Sequence, residues 1–134
     1  MSAQPISAGS RELLSNLRNL MLQQHKLLLQ RERAVYESAN GPIAGPGPLL
    51  ALVLGDPQFV WLRQISGLVV EIDEALSRRS TAGQTEADDL TARVSDLMRP
   101  RENGTDFQAR YYHAVQDSSD VLIVQCQIEQ LRTG

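Results

Sequence analysis

The strongest helical pattern in this chain of 134 residues covers residues 56–76, which read DPQFVWLRQISGLVVEIDEAL. Asp56 and Pro57 form a helix start, because aspartate is a favoured N-cap and proline suits the first helical position. Apolar residues then recur at spacings of three and four, which predicts a core-facing helix and, we expect, the central helix of a small bundle. This stripe consists of Leu62, Ile65, Val69, Ile72 and Leu76, widened by Trp61, Leu68 and Ala75.

Three more helices are predicted around this one. Residues 10–38 repeat adjacent apolar pairs every seven residues, with a seam that is polar at Gln24 and Arg31. This is typical of a bundle helix with a partly solvated outer end; the alternative is a helix that protrudes to meet a partner. Residues 85–99 have acidic first turns and a thin apolar set, which indicates an amphipathic surface helix. Residues 106–132 keep one apolar phase throughout.

The last of these segments allows three interpretations. Its constant phase favours one helix, kinked at the weak helix-forming patch around residues 117–120. Two helices with a cap at Asp117 or Ser118 are nearly as well supported. Residues 121–128 also alternate like a strand, which would give an α+β fold if they paired with Leu49–Leu54.

A Gly/Pro-rich connector at residues 40–48 ends the first long helix. Its glycines do not make a phosphate loop, because no Lys-Ser/Thr pair follows and the prolines remove backbone N–H donors. The apolar run Leu49–Leu54 that follows predicts a short buried helical turn that plugs one end of the bundle.

These patterns together predict an all-α fold, an antiparallel four-helix bundle with a short extra helical turn near residues 49–54. The main helices are expected at about 10–38, 57–79, 85–99 and 106–132. Residues 1–9 are small and polar and are predicted to form a frayed tail. Residues 10–134 are predicted to form one helical-bundle domain, in keeping with the usual size of domains.

Charge and cysteine content restrict the function. The net charge of −3 and the lack of a basic block argue against a nucleic-acid partner. A single cysteine, Cys126, cannot form an intrachain disulfide, which fits a reducing compartment. No secretory signal is visible and Leu49–Leu54 is too short to span a bilayer, so we expect a cytoplasmic protein without a membrane partner.

Candidate chemical groups do not assemble into a catalytic or metal site. Glu71, Asp73 and Glu74 lack the Glu-x-x-His pairs of metal-binding bundles. We therefore interpret them as a solvated face, with Asp73 free to pair with an arginine such as Arg110. His113 and Asp117 could reach one metal ion from a single helix, but two ligands fall short of a zinc site.

The lone thiol gives no better case for catalysis. Cys126 lies within an apolar segment and lacks an evident activating group, so a buried, inert thiol is expected. No catalytic, metal-binding or cofactor-binding residue is predicted, and an enzyme of unknown class is the least favoured function.

One apolar surface exceeds what a core needs. Val121, Val124 and Ile128 suffice for one buried face, which leaves Leu122, Ile123 and Cys126 pointing away. Either another part of the chain, such as Leu49–Leu54, covers this face, or a second subunit does.

The leading hypothesis is therefore a non-enzymatic module that binds another protein or a second copy of itself. The alternative is a bundle that binds a small ligand in an apolar pocket. Its candidate lining residues are Trp61, Tyr111, Tyr112 and His113.

Overall fold

The computed structural model describes residues 4–133, and within them the protein is all-α, as the sequence predicts. Seven helices occupy this range, rather than four helices and a turn. They are α1 (Ala8–Asn40), α2 (Pro46–Gly55), α3 (Pro57–Val60), α4 (Arg63–Leu76), α5 (Gln84–Leu97), α6 (Asp106–Asp117) and α7 (Ser119–Thr133). No β-strand is found in this part of the chain, and the strand interpretation of residues 121–128 is wrong because α7 covers them.

Helix α1, not the stretch at residues 56–76, is the central element. It packs against α3, α4, α5 and α7. Its 33 residues correspond to a length of about 50 Å, so the other helices can pack along it at different heights. Its buried residues follow the spacing of three and four that defines one helix face. They are Leu14, Leu17, Met21, Gln24, Leu28 and Glu32.

The predicted helix at residues 57–79 is divided into α3 and α4. Its start is confirmed, since the Asp56 carboxylate accepts a hydrogen bond of 2.9 Å from the Gln58 N–H. A turn at Trp61 and Leu62 then separates the two helices, and the Leu62 N–H donates to the Phe59 carbonyl at 3.1 Å. Both turn residues stay buried, so the apolar stripe continues across the break.

Polar contacts show that α4 and α7 run antiparallel to α1. Arg18 of α1 pairs with Asp73 near the end of α4 at 2.8 Å, while the Gln58 side chain, before α4, donates to the carbonyl of Glu32. Asp73 therefore pairs with an arginine, as we expect from the sequence, but this arginine is Arg18 and not Arg110. Arg110 instead binds Asp106, one turn earlier in α6.

The contacts to α7 follow the same order. The Arg31 guanidinium binds Asp117, just before α7, at 2.8 Å. The Gln24 amide, two turns earlier in α1, reaches the carbonyl of Val121 at 3.0 Å. The seam positions that looked solvated in the sequence thus contact the last two helices.

The chain turns at Ser118, so the interpretation of residues 106–132 as two helices is correct and a single kinked helix is not formed. Ser118 has an extended backbone (φ −130°, ψ 118°). Its hydroxyl accepts a hydrogen bond of 3.3 Å from the Val121 N–H, as an N-cap does. Helices α6 and α7 then pack against each other.

The segment before α1 is packed rather than frayed. Helix α1 begins at Ala8, and the Ser7 hydroxyl caps it by accepting from the Ser10 N–H. The Ser7 N–H donates to the Gln84 side chain at 2.7 Å, and Ile6 is buried in the core. The start of α5 thus fixes this segment by hydrogen bonds that the composition does not reveal. Residues 1–3 of the predicted tail lie outside the described residues.

Helix α2 is helical as predicted, but it is not a buried plug. None of its residues is buried, and Leu50 and Leu54 are 57% and 55% exposed. The neighbouring helix α3 instead buries Phe59, whose ring centroid lies 5.7 Å from that of Tyr36. Within residues 4–133, no helix is both long and apolar enough to cross a membrane.

The packing of α1 predicts unequal effects of two leucine truncations. Leu17 is fully buried and Leu22 is 40% exposed on the same helix. We expect Leu17→Ala to lower the free energy of unfolding by about 2–5 kcal/mol through the cavity that it leaves. Leu22→Ala should lower it by less than about 1 kcal/mol, because less apolar area returns to water. Urea unfolding measures both, and equal losses would contradict the assigned face of α1.

Candidate functional site

The outer face of α7 is the surface that the sequence marks as unpartnered. The inner face of this helix is buried through Val121, Val124, Gln125 and Ile128. On the opposite side, Leu122 and Ile123 are 45% and 57% exposed, and Cys126 is exposed as well. No described part of the chain, Leu49–Leu54 included, buries this face. The prediction that the Cys126 thiol is buried is therefore wrong.

The centre of the outer face of α7 carries no charge. At 100° per residue, the positions that share this face with Cys126 are all exposed. They are Ser119, Leu122, Ile123, Gln130 and Thr133. Glu129 lies at the edge of this face, as far from Cys126 on one side as Ile123 is on the other, while Asp120 and Arg132 lie further round the helix. A solvated helix face normally carries charged residues, so this uncharged stripe stands out.

A buried hydrogen-bond network fixes the rotation of α7 about its axis. Gln24, which is fully buried in α1, donates to the Tyr111 hydroxyl at 2.7 Å. That hydroxyl donates to the side-chain oxygen of Gln125 in α7. The Gln125 amide donates in turn to the Met98 carbonyl and to Glu129, each at 3.0 Å. With Gln125 directed inward, Cys126 faces outward.

Burial keeps the tyrosine neutral. Burial raises the pKa of the Tyr111 phenol, the hydrogen bond from Gln24 opposes this shift, and the Glu129 carboxylate adds to it. The hydroxyl therefore remains a donor to Gln125. The Gln24 carbonyl oxygen, by contrast, is buried without a hydrogen-bond partner among the described residues.

The four residues of the predicted ligand pocket are not brought together. Trp61 and Tyr111 are buried and separated by Phe107. The centroid of the Phe107 ring lies 5.2 Å from that of Trp61 and 5.8 Å from that of Tyr111. Tyr112 is half-buried and His113 is exposed, with their rings in contact at 5.5 Å. Two of the residues thus belong to the aromatic core and two to the outside of α6.

Two open grooves lie elsewhere. One, of about 730 Å³, runs between α4, α5 and the start of α6. In this groove, the two terminal nitrogens of Arg93 donate to the two carboxylate oxygens of Glu71 at 2.8 and 2.6 Å. These hydrogen bonds lower the pKa of the Glu71 carboxyl. The other, of about 610 Å³, lies between the Gly/Pro connector and helices α2 and α3. Neither is lined by a residue of the predicted pocket.

The candidate metal ligands have other partners or stand apart. Asp117, the candidate ligand four residues after His113, pairs with Arg31. Glu71 and Asp73 pair with Arg93 and Arg18 on neighbouring helices. In residues 4–133, no three His, Cys, Asp or Glu side chains lie close enough together to hold a metal ion.

Comparisons of the chain with protein-family models, with curated proteins and with solved structures find no match.

Sequence reasoning missed the role of Gln24. The sequence shows a polar position in the apolar seam, but its partners lie 87 and 97 residues later in the chain. A glutamine that falls in phase with Leu17, Met21 and Leu28 is itself a usable signal, because a buried amide requires hydrogen-bond partners. The absence of charge at the centre of the outer face of α7 could also have been found by projecting the helix.

The network predicts a large difference between two adjacent tyrosines. Tyr111→Phe leaves the Gln125 oxygen buried without its donor, and we expect a loss of about 1–3 kcal/mol in the free energy of unfolding. Tyr112→Phe, the matched control on the half-buried side, should change it by no more than about 0.5 kcal/mol. Chemical denaturation of both variants provides the measurement. A Tyr111→Phe protein as stable as the control would show that the network does not hold α7.

Proposed function

We propose that the protein is a non-enzymatic helical module that associates through the outer face of α7. The observation that carries this proposal is the uncharged stripe around Leu122, Ile123 and Cys126, which remains exposed while the opposite side of the same helix is buried. Contiguous exposed apolar surface of this kind marks interaction sites in proteins. The proposal places the protein in the cytoplasm, in keeping with a single cysteine.

A second copy of the chain is the partner that we propose first. The chain has a net charge of −3, so two copies repel each other weakly as whole molecules. The outer face of α7 adds little to this repulsion, because its central stripe is uncharged and Glu129 at its edge already accepts a hydrogen bond from Gln125. Symmetric dimers are the commonest oligomers, and they use the same patch on both subunits.

The dimension of the surface sets the expected strength of this association. Fifteen residues of α7 span about 22 Å. One helix face of this length falls below the roughly 800 Å² per partner of a standard stable interface. We therefore expect a weak dimer whose population rises with protein concentration.

The proposal predicts that a charge on α7 separates the two copies. Ile123→Asp should raise the dissociation constant by at least about tenfold, because apolar burial is lost and two carboxylates approach each other. Val70→Asp, which alters a similarly exposed β-branched residue on α4, is the control and should leave the constant unchanged. Analytical ultracentrifugation over a concentration series measures both.

Disulfide formation at Cys126 provides an independent test of the proposed contact between two copies of α7. Because the chain has one cysteine, any disulfide formed under mild oxidation joins two copies. Cross-linking should follow the dimer population and fall in Ile123→Asp but not in Val70→Asp. A wild-type protein that stays monomeric at all concentrations would rule out self-association and leave a different protein as the partner of α7.

A further inference from the structure

Helix α2 forms a second apolar surface, with a composition unlike that of α7. Residues 41–55 contain no polar side chain at all. The helix packs against α3 through one side, while Leu50, Ala51 and Leu54 are exposed on the other. A helix that is apolar all round is normally buried, yet α2 has no buried residue.

The backbone of α2 leaves few polar groups in need of water. A helix start normally has four N–H groups without intrahelical partners, but Pro46 and Pro48 have none to offer. The Leu49 N–H binds the Gly45 carbonyl at 3.2 Å, and at the other end the Asp56 N–H binds the Leu52 carbonyl at 2.8 Å. This reduces the cost of moving α2 into a medium that offers no hydrogen bonds.

The charges that border α2 favour an anionic partner group at its rim. The Glu37 carboxylate accepts from the Ile43 N–H at 2.8 Å and binds Arg33, and the Asp56 carboxylate caps α3. Both acids are thus engaged within the chain. Arg63, in contrast, is exposed and lies beside the end of α2, where it donates to the Leu54 carbonyl at 3.4 Å.

We propose that α2 inserts into the surface of a lipid bilayer, with Leu50 and Leu54 among the acyl chains and Arg63 at the headgroup phosphates. An apolar stretch of this length is typical either of a core helix or of a segment at a membrane interface. Because α2 has no buried residue, it is not a core helix, and the interfacial segment is the remaining alternative. Ten residues span about 15 Å, half of a hydrocarbon layer of about 30 Å, so α2 would enter one leaflet without crossing. This revises the expectation of no membrane partner.

A hydrocarbon layer fits α2 better than a protein groove does. Protein interfaces surround an apolar centre with a polar rim and form hydrogen bonds across it. Residues 41–55 offer no side chain for such bonds. Acyl chains require none, and they can surround a helix on several sides.

Flotation of the full chain with phosphatidylcholine vesicles tests this proposal. We expect the wild-type protein to float with the vesicles, and the double substitution Leu50→Asp with Leu54→Asp to lower the bound fraction at least about tenfold. Neither leucine is buried, so far-ultraviolet circular dichroism should show an unchanged fold. Ile123→Asp is the matched control and should float like the wild type, which separates this surface from that of α7.

The lipid composition adds a second criterion. If apolar insertion provides the affinity, vesicles that also contain phosphatidylserine should bind the protein about as well, because the chain as a whole is acidic. A wild-type protein that does not float, or a double variant that floats equally, would overturn the proposal. A double variant that instead loses self-association would show that a second copy covers α2.

Discussion

The hydroxyl of Tyr111 is the point on which the arrangement of the last three helices depends. It accepts a hydrogen bond from Gln24 of α1 and donates one to Gln125 of α7. The Gln125 amide in turn donates to the carbonyl of Met98 at the end of α5. A buried polar group without a partner is costly, whereas a connected network specifies one arrangement. Rotating α7 by one residue would break these bonds, so the network determines which of its residues face the solvent.

The sequence predicted those features that depend on local chemistry. The Asp56 cap, the apolar phases of α1 and α4 and the helical nature of residues 106–132 follow from side-chain type and spacing. The turn at Ser118 belongs to one of the three interpretations of this segment, since residues 117–120 are compatible with both a kink and a helix cap. The break at Trp61 and Leu62 was not predicted, because both residues remain buried and the apolar pattern passes through it unchanged.

Burial was harder to predict than helix position, because it depends on what the rest of the chain provides. Leu49–Leu54 is apolar enough for a core, yet no residue of α2 is buried, whereas Phe59 of the neighbouring α3 is. Cys126 is the more apolar of two neighbours, yet Gln125 is the one inside, since distant partners satisfy its amide. The surfaces proposed for α7 and α2 both consist of apolar residues that no described part of the chain buries.

The attachment of α2 has a consequence for how the molecule can open. Since no side chain of this helix is buried, α2 could melt or shift while the cluster around α1 keeps its packing. Regions with few buried contacts open at a small fraction of the global unfolding free energy. Gly41 and Gly45 lie within the connector at positive φ values of 83° and 133°, in a region of backbone conformation that favours glycine. The core around α1 is thus expected to unfold cooperatively, whereas α2 can fold and unfold locally, with an equilibrium that depends on what contacts it.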